Sequence, residues 1–585
     1  MPAQSLNHPP KSLWLMTAAA AALLLPGTAR RAAADEPNSP AVRCESLPER
    51  MAGHWPDGST RVISVHWLSE GPQAAQGPGE PGSLIIPAHC DLVGSVQERV
   101  GEGGQRYAIR FHLRLPGDWN GRFLFQGGGG SNGVLGDALG NYSAVAKPGI
   151  LQGFAVVSQD SGHDNAVNND PARGGVLVFG LDAQARANYG YASLPIVAAA
   201  AKAALRQYYG APPRRSYFVG CSKGGEEGMV FAQRYAGEFD GIVANAPGMS
   251  LPRAALSEAW DTQALAALVQ TTAGTALPFA KLSSAFSDAD LGVARDAVLA
   301  ACDAADGLKD GLVGDFTHCT AKRVDPELAA RRCRGAKADG CLSRAQMQAL
   351  DRMMAGPHDQ GGHALYSDWP WDAGIASPNW RAWKMGGAGG TPPSLNVVLG
   401  GASLASDFTT PPTLLRADPQ TLLDFLLAFD FDRDAAKIYA TGAGFTHSAW
   451  EDMSARSAAL GAFRRHGAKM IVVHGVSDPV FSINDTLAWW RDVDHLNRGQ
   501  AARFVRVFAV PGMNHCGGGD ATDQYDALTA VMHWVENAQA PDLIVATSRP
   551  RSAHPGRSRP LCPYPLVARY AGRGDPEYAQ SFACR

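Results

Sequence analysis

The sequence predicts an α/β fold whose core is interrupted by a large inserted domain. A short strand pattern at 216–219, aromatic and β-branched, is followed directly by a helical pattern at 225–234. A second strand pattern, GIVANAPG, ends at Gly248, and a third begins near Lys469. More than 200 residues separate these two patterns, whereas an ordinary connection takes a handful, so a separate domain must lie between them.

Length and composition are typical of a globular protein with two lobes. A chain of 585 residues, 45% apolar and 18% charged, is too long for one ordinary core and has enough apolar side chains to bury. The formal net charge is only -3, and no run of Lys and Arg contains interleaved aromatic residues, which argues against a nucleic-acid partner. We expect a monomer with core segments at 35–249 and 457–585 and the inserted domain at 250–456.

The N-terminus has the pattern of an export signal. Lys11 precedes an apolar stretch at 13–25, and small residues follow it, so we expect a signal peptide over 1–34 that is cleaved near Ala34. The apolar stretch of about 13 residues falls short of the ~20 that a membrane-spanning helix needs, and no later stretch is long enough. We therefore expect an exported protein with no membrane span; periplasm and full secretion remain alternatives.

Cysteine usage agrees with an oxidising compartment. The chain has ten cysteines and no C-x-x-C motif, which favours disulfide bonds over zinc ribbons or thioredoxin-type chemistry. The sequence alone leaves the pairing open, but proximity along the chain suggests four bonds: Cys44–Cys90, Cys302–Cys319, Cys333–Cys341 and Cys562–Cys584. Cys221 and Cys516 are then left over.

A serine lies at the predicted corner between strand and helix. Gly220, Ser222 and Gly224 form the pattern G-x-S-x-G, in which small neighbours allow so sharp a turn that the serine hydroxyl is exposed at the edge of the sheet. This is the position of the nucleophile in α/β hydrolases. A helix N-cap in a glycine turn is the alternative interpretation, and such short patterns also arise by chance.

Two later residues have the positions expected of an acid and a base. Asp478 follows a buried-strand pattern at 470–474, and His515 lies in the stretch VFAVPGMNHCGGG. The order serine, aspartate, histidine along the chain is that of α/β hydrolases. As alternatives, an aspartate before a proline is common in turns, and a histidine after a strand is common in loops. Order and position together favour a catalytic triad.

The two remaining cysteines adjoin this predicted triad. Cys221 directly precedes Ser222, and Cys516 directly follows His515. If the serine and the histidine are nucleophile and base, they lie within about 3 Å of each other, and the adjoining cysteines are then close enough to form a disulfide.

Four consecutive glycines follow an early strand pattern in GRFLFQGGGGSNG. Glycines at 127–130 let backbone N–H groups approach a developing oxyanion, together with the N–H of Lys223 after the serine. The same stretch also spells G-x-G-x-x-G, a dinucleotide-binding fingerprint. That fingerprint requires an immediately following helix, whereas the next residues, VLGDALGNYSAVAKPG, are glycine-rich and poorly periodic, so we prefer the oxyanion interpretation.

The Cys-Ser, Asp and His-Cys arrangement resembles the tannase and feruloyl esterase family of α/β hydrolases. The segments SQDSGHDNAVNNDPA, VFGLDAQARANYGY, GCSKGGEEGM, VPGMNHCGGG and RPLCPYPLVARYAGRGD resemble those of a bacterial member, and the similarity spans nearly the whole mature chain. The resemblance implies a triad of Ser222, Asp478 and His515, oxyanion donors at Gly130 and Lys223, and a bond between Cys221 and Cys516.

By the same resemblance, the inserted domain is a lid over the site. Its tryptophans at 369, 371, 380 and 383 lie close together in the sequence, and most are expected to pack inside the lid. The resemblance implies substrate contacts for Trp383 and for Phe481. In that bacterial member a lid arginine binds a substrate carboxylate, but residues 385–408 contain no arginine here. Lys384 and Arg416 are the nearby cations that could replace it.

The lid also contains the loop CDAADGLKDGLVGDFTHC between two cysteines. Three carboxylates on a bent loop, with main-chain carbonyls nearby, suit Ca²⁺, although the spacing is not that of an EF-hand and solvated aspartates are the alternative. The family has a calcium site that this loop matches, and the implied ion is structural. The expected ligands are Asp303, Asp306, Asp310 and the carbonyls of Leu308 and Leu312.

The resemblance implies an exported serine esterase that acts on esters of small aromatic acids and needs no redox or organic cofactor. One alternative is a feruloyl esterase or tannase that acts on neutral hydroxycinnamate or gallate esters. A more distant alternative is a binding protein on a hydrolase scaffold that has lost catalysis, because a fold alone does not determine function.

Overall fold

The computed structural model describes residues 39–74, 83–141, 146–269 and 275–585. The predicted signal peptide at 1–34 lies outside these residues. The described strands are β1 Arg61–Leu68, β2 Gly71–Ala74, β3 Ser83–Ile86, β4 His89–Val100, β5 Arg106–Pro116, β6 Arg122–Gln126, β7 Ala155–Gln159, β8 Arg215–Cys221, β9 Gly241–Asn245, β10 Lys469–Gly475, β11 Val505–Val510, β12 Ile544–Thr547, β13 Ser558–Leu561, β14 Ala568–Tyr570 and β15 Phe582–Cys584.

The α-helices alternate with the later strands and fill the long connection between β9 and β10. Within the described residues they are α1 Pro40–Glu45, α2 Leu47–Met51, α3 Ala183–Ala187, α4 Ser193–Tyr209, α5 Lys223–Arg234, α6 Leu251–Ala266, α7 Asp288–Cys302, α8 Ala321–Ala330, α9 Arg344–Ala355, α10 Pro378–Lys384, α11 Ala402–Ser406, α12 Pro419–Ala428, α13 Phe431–Asp434, α14 Ala449–Met453, α15 Gly461–His466, α16 Ile483–Leu496 and α17 Ala527–Asn537. None of them is long and apolar enough to cross a membrane.

One mixed sheet organises the described chain. Its strand order is β1-β4-β5-β7-β6-β8-β9-β10-β11, antiparallel from β1 to β7 and parallel from β7 to β11. Side chains alternate across it: Phe218 packs into the larger core beside α4 and α5, whereas Tyr217 and Val219 pack on the opposite face beside α17. Strands covered on both faces are necessarily apolar, which explains the short apolar runs of the sequence.

The long connection leaves and re-enters the sheet at neighbouring strands. β9 and β10 pair in parallel, with Gly241 opposite Lys469 and Asn245 opposite Val473. The described residues between these strands form helices and contribute nothing to the large sheet. The α/β fold with an insertion follows from this arrangement, while the exact limits 250–456 stay a prediction.

All ten cysteines form disulfide bonds. The pairs are Cys44–Cys90, Cys221–Cys516, Cys302–Cys319, Cys333–Cys341 and Cys562–Cys584, which confirms the predicted pairing. Five such bonds are typical of a protein that folds in an oxidising compartment.

Candidate active site

Ser222 occupies the sharp corner between β8 and α5. Its φ of 64° lies in the left-handed region, where a residue with a side chain is strained. Its N–H donates to the carbonyl of Asn245 (3.0 Å), and its own carbonyl accepts from Gly248 (3.1 Å). The flanking glycine at 224 is required sterically, because a Cβ there would collide with the carbonyl of Gly128. Close packing therefore holds the serine in its strained conformation.

The predicted triad is assembled in the structure. Ser222 Oγ lies 2.8 Å from His515 Nε2, and His515 Nδ1 lies 2.8 Å from Asp478 Oδ2. With Nδ1 protonated, the histidine donates to the aspartate and its Nε2 accepts from the serine hydroxyl. Asp478 and His515 follow the neighbouring strands β10 and β11, so both side chains come from the same edge of the sheet as the serine corner.

Asp478 is held as an ionised acceptor. Burial alone would raise the pKa of this carboxyl, but the neighbouring His515 and His474 hold its pKa well below the usual range. Its second oxygen accepts the backbone N–H groups of Val480 (2.8 Å) and Phe481 (3.0 Å). These contacts leave Oδ2 to face the imidazole of His515.

The disulfide Cys221–Cys516 joins the serine corner directly to the histidine loop. The two Cα atoms are 6.0 Å apart, although 295 positions separate these residues in sequence. Each cysteine adjoins one end of the hydrogen bond between Ser222 and His515. The bond therefore restrains the separation of the two reacting side chains.

The glycine loop faces the same cavity as the serine. Gly130, at φ 57°, lines this cavity together with Ser222 and Lys223, as expected of the two predicted oxyanion donors. The hydroxyl of Tyr189 donates to the carbonyl of Gly130 (3.0 Å). A side chain from outside the glycine loop therefore restrains this peptide group.

A buried charge cluster under the loop was not foreseen from the sequence. Glu227 accepts the N–H of Gly128 (3.0 Å) and the side-chain amide of Asn132 (2.7 Å). Lys223 donates to Glu226 (2.6 Å) and Glu227 (3.4 Å), and all three side chains are buried. Lysine followed by glutamates at i+3 and i+4 is the sequence signal that could have revealed the pairing.

The two glutamates keep the Lys223 ammonium charged although it is buried. Burial lowers the pKa of Lys223, but Glu226 and Glu227 outweigh burial and raise it above its usual value. Burial raises the pKa of Glu226 to about 7 even though Lys223 opposes the shift. The ammonium is therefore engaged below the loop, and Lys223 offers the cavity its backbone rather than a free cation.

Aromatic and aliphatic side chains form the rest of the cavity, which encloses about 430 Å³ with its open mouth included. Trp383 and Phe481, both predicted to contact substrate, line it and meet the His515 ring edge-on at centroid distances of 5.6 and 5.2 Å. The complete lining is Gly130, Tyr189, Ser222, Lys223, Leu251, Ala254, Ala255, Glu258, Trp383, Leu399, Gly400, Ser403, Phe408, Val480 and Phe481.

Three further tryptophans of the lid, Trp369, Trp371 and Trp380, are buried without lining this cavity. Trp369 donates its indole N–H to the carbonyl of Asp478 (2.9 Å), so the lid holds the acid loop directly. Neither cation suggested as a carboxylate receptor lines the cavity. Lys384 is buried and bound to Asp261, and Arg416 is largely exposed beside Asp418.

The predicted calcium loop brings its carboxylates near one another. Burial raises the pKa of Asp306 to about 6, and the nearby Asp310 and Asp303 add to this shift. Asp303 accepts the backbone N–H groups of Asp310 (3.0 Å) and Gly311 (3.2 Å), while Asp310 is paired with Arg559. Across the described ranges, no three His, Cys, Asp or Glu side chains are arranged as a metal cluster. The oxygen donors fit Ca²⁺ in chemistry, and calcium stays a prediction.

A serine at a strained strand-to-helix corner, with its acid after β10 and its histidine after β11, defines an α/β hydrolase. The sequence matches the family described as "Tannase and feruloyl esterase" over residues 90–585. It is 42% identical over 566 residues to the mono(2-hydroxyethyl) terephthalate hydrolase of Piscinibacter sakaiensis, covering 92% of this chain and 91% of that protein. A probable feruloyl esterase of Arthroderma benhamiae is 30% identical over 494 residues, covering 82% of each chain.

Solved structures agree in fold. Feruloyl esterase B from Aspergillus oryzae superposes with a TM-score of 0.72 at 21% identity, covering 94% of this chain and 100% of that one. Tannin acyl hydrolase from Aspergillus niger gives a TM-score of 0.66 at 19% identity, covering 94% and 96%. The chain belongs to the tannase and feruloyl esterase family and is a carboxylic ester hydrolase.

Replacing Cys221 and Cys516 together by alanine is expected to lower kcat for ester hydrolysis by about 10²-fold, because the bond sets the distance between Ser222 and His515. Replacing Cys333 and Cys341, which close a short loop, is the control and is expected to leave kcat within about twofold. The measurement is kcat per folded molecule, with folding checked by circular dichroism. Wild-type kcat in the folded Cys221/Cys516 variant would contradict the role given to this bond.

Proposed function

We propose that this protein hydrolyses esters of small aromatic acids through a serine acyl-enzyme. The observation that carries the proposal is the continuous hydrogen-bonded chain from Ser222 through His515 to Asp478, with the serine on the wall of a cavity lined by aromatic rings. A binding protein that has lost catalysis has no use for this alignment, so the geometry favours an enzyme.

In the first half of the proposed reaction, Ser222 Oγ attacks the ester carbonyl carbon while His515 Nε2 takes the hydroxyl proton. Asp478 stabilises the resulting imidazolium through Nδ1. The backbone N–H groups of Gly130 and Lys223 donate to the oxyanion of the tetrahedral intermediate. When this intermediate collapses, the bond to the alcohol oxygen breaks, and the alcohol leaves with the proton from His515.

The second half repeats these steps with water. His515 removes a proton from a water molecule that attacks the acyl carbon, and the same two amides stabilise the second oxyanion. The bond to Ser222 Oγ then breaks, the proton returns to the serine, and the free acid is released. No further group is needed to balance this reaction.

Both the relatives and the cavity support an aromatic acyl group. The names of the relatives refer to terephthalate and feruloyl esters, and Trp383 and Phe481 provide aromatic surfaces beside His515. A second candidate, hydrolysis of neutral hydroxycinnamate or gallate esters, is favoured by the charges of the lining. Among the described residues of the lining, Lys223 is the only lysine and is already paired, and no arginine occurs, so a substrate carboxylate would be buried without a cation.

Export and calcium binding complete the proposal. The charged and apolar N-terminal pattern supports a cleaved signal peptide ending near Ala34, and the five disulfide bonds agree with export. The monomer stays a prediction. We assign a structural Ca²⁺ to the lid loop, with Asp303, Asp306 and Asp310 and the carbonyls of Leu308 and Leu312 as its ligands. The ion would neutralise Asp303 and Asp306, whose pKa values are raised mainly by burial and further by the neighbouring carboxylates.

The decisive variant for the enzymatic proposal is Ser222→Ala. We expect it to lose more than about 10³-fold in kcat with methyl ferulate and with mono(2-hydroxyethyl) terephthalate, while folding and thermal stability are retained. A fluorophosphonate should label the wild type at Ser222 and leave the variant unlabelled. Wild-type turnover by the variant would refute the nucleophile, and an unlabelled, inactive wild type that still binds the esters would favour a binding protein.

Glu227→Gln tests the support of the glycine loop. The carboxylate of Glu227 holds the Gly128 amide from below, so the change is expected to displace the oxyanion donor of Gly130 and lower kcat about tenfold while KM changes less than about threefold. Glu238→Gln, at a partly exposed pair with Lys202, is the matched control and should leave both constants unchanged. An equal loss through KM alone would assign Glu227 to substrate binding instead.

For calcium, saturation with Ca²⁺ after chelation is expected to raise the melting temperature by a few degrees, on the order of 5 °C at a concentration 100 times the Kd. Asp306→Asn should abolish this shift, whereas Asp325→Asn, at a less buried carboxyl outside the loop, should preserve it. Differential scanning fluorimetry provides the measurement. The same shift in wild type and Asp306→Asn would place the ion elsewhere, and no shift in the wild type would refute the site.

A further inference from the structure

The cavity contains a carboxyl group that the proposed mechanism does not use. Glu258 lines the cavity and is only 6% exposed. Its backbone carbonyl accepts the hydroxyl of Thr262 (2.7 Å), but neither carboxyl oxygen has a hydrogen-bond partner among the described residues. Buried carboxyl groups are normally hydrogen-bonded, so this side chain needs an explanation.

Helix α6 places Glu258 at the far end of the cavity from the nucleophile. Leu251, Ala254, Ala255 and Glu258 recur at the spacing of one helix face, and all four line the cavity. Leu251 begins this face beside Gly248, whose N–H donates to the carbonyl of Ser222. The carboxyl-bearing residue follows seven positions later, about 10 Å along the helix axis.

The wall opposite this helix is shaped to accommodate the carboxyl group. Gly400 belongs to a π-helical turn, Asn396–Gly401, and a Cβ on it would collide with Glu258 Oε2. Ser403, one turn later, lines the same end of the cavity, and its hydroxyl also has no hydrogen-bond partner in the described part of the chain. π-Helical turns occur frequently at functional sites.

The charges around Glu258 favour a neutral ligand. Lys384 is the nearest cation, but its ammonium is bound to Asp261. Burial raises the pKa of Glu258 to about 8; Lys384 opposes this shift and Asp261 adds to it. At neutral pH the group is therefore mostly a protonated carboxyl, which both donates and accepts a hydrogen bond.

We propose that Glu258, assisted by Ser403, is a specificity-determining residue that hydrogen-bonds hydroxyl groups on the far side of the aromatic ring of the acyl group. This inference rests on the proposed function. When the ester carbonyl lies at Ser222, the ring extends along α6, and its distal substituents face Glu258 and Ser403, two polar side chains of the lining without a hydrogen-bond partner among the described residues. An unsubstituted ring leaves both of them unpaired, which is the basis of discrimination.

The test compares two esters that differ only in these hydroxyl groups, ethyl 3,4-dihydroxybenzoate and ethyl benzoate. The readout is the ratio of their kcat/KM values on one enzyme preparation, because a loss of folded or active enzyme affects both values equally. The variants are Glu258→Leu, which removes hydrogen bonding, and Glu258→Gln, which keeps a donor and an acceptor. Ser257→Ala, on the same helix but outside the cavity lining, is the matched control.

We expect the wild type to favour the dihydroxy ester and Glu258→Leu to lower the ratio about tenfold. Glu258→Gln should retain most of the ratio, Ser403→Ala should lower it about threefold, and Ser257→Ala should not change it. If Glu258→Leu does not fold, Glu258→Ala takes its place. If the leucine or alanine variant hydrolyses both esters with the wild-type ratio of kcat/KM values, the inference is overturned and the proposed function is left intact. If the wild type hydrolyses neither these nor other aromatic esters, both are overturned.

Discussion

The strained corner at Ser222 is the constraint on which the rest of the site depends. A positive φ at a residue with a side chain costs on the order of 1–3 kcal/mol, so the surrounding structure must hold it. The backbone of Ser222 donates to Asn245 and accepts from Gly248, which provides part of that restraint, and the disulfide between Cys221 and Cys516 provides another part. Because Cys516 is next to His515, the contacts that hold the nucleophile also position its base.

The core and the lid contribute different residues to the site. Strands β8, β10 and β11 position the serine, the acid and the base, and the glycine loop after β6 lines the same cavity through Gly130. The long connection between β9 and β10 contributes Trp383, Glu258 and Ser403 to the lining of the cavity. Trp369 links the two parts by donating to the carbonyl of Asp478. The lid can therefore vary its recognition of the acyl group while the chemistry stays fixed.

The parts of the site that depend on local order were predictable from the sequence. The glycines beside Ser222 indicated the serine corner, and the order and position of Ser222, Asp478 and His515 along the chain favoured the triad that the structure assembles. The four short-range cysteine pairs followed from proximity along the chain, and the fifth from its neighbours in the triad. In each case a few adjacent residues are enough to indicate both the chemical role of a side chain and its place in the fold.

Residues that act through distant contacts were not predictable in the same way. Lys223 was assigned an oxyanion role for its backbone, yet its side chain forms a buried cluster that also holds Gly128 through Glu227. Tyr189 reaches Gly130 across 59 positions, and no local pattern indicates this contact. The helical sequence around Glu258 contains no pattern that indicates a site. The position of this residue in the cavity follows only from its contact with the distant turn at Gly400.

Glu227 and Glu258 are both buried acids near the cavity, but different groups compensate them. This difference distinguishes a residue that supports the glycine loop from one that recognises a ligand. Glu227 is fully engaged by Gly128, Asn132 and Lys223, so it has no capacity left for a ligand. Glu258 has comparable burial but no hydrogen-bond partner in the described chain, and the cation nearest to it is already bound to Asp261. A buried polar group left unpaired costs about 1–3 kcal/mol, a cost that a ligand with a matching hydroxyl removes on binding. The unpaired carboxyl thus makes affinity depend on a substituent remote from the bond that is broken.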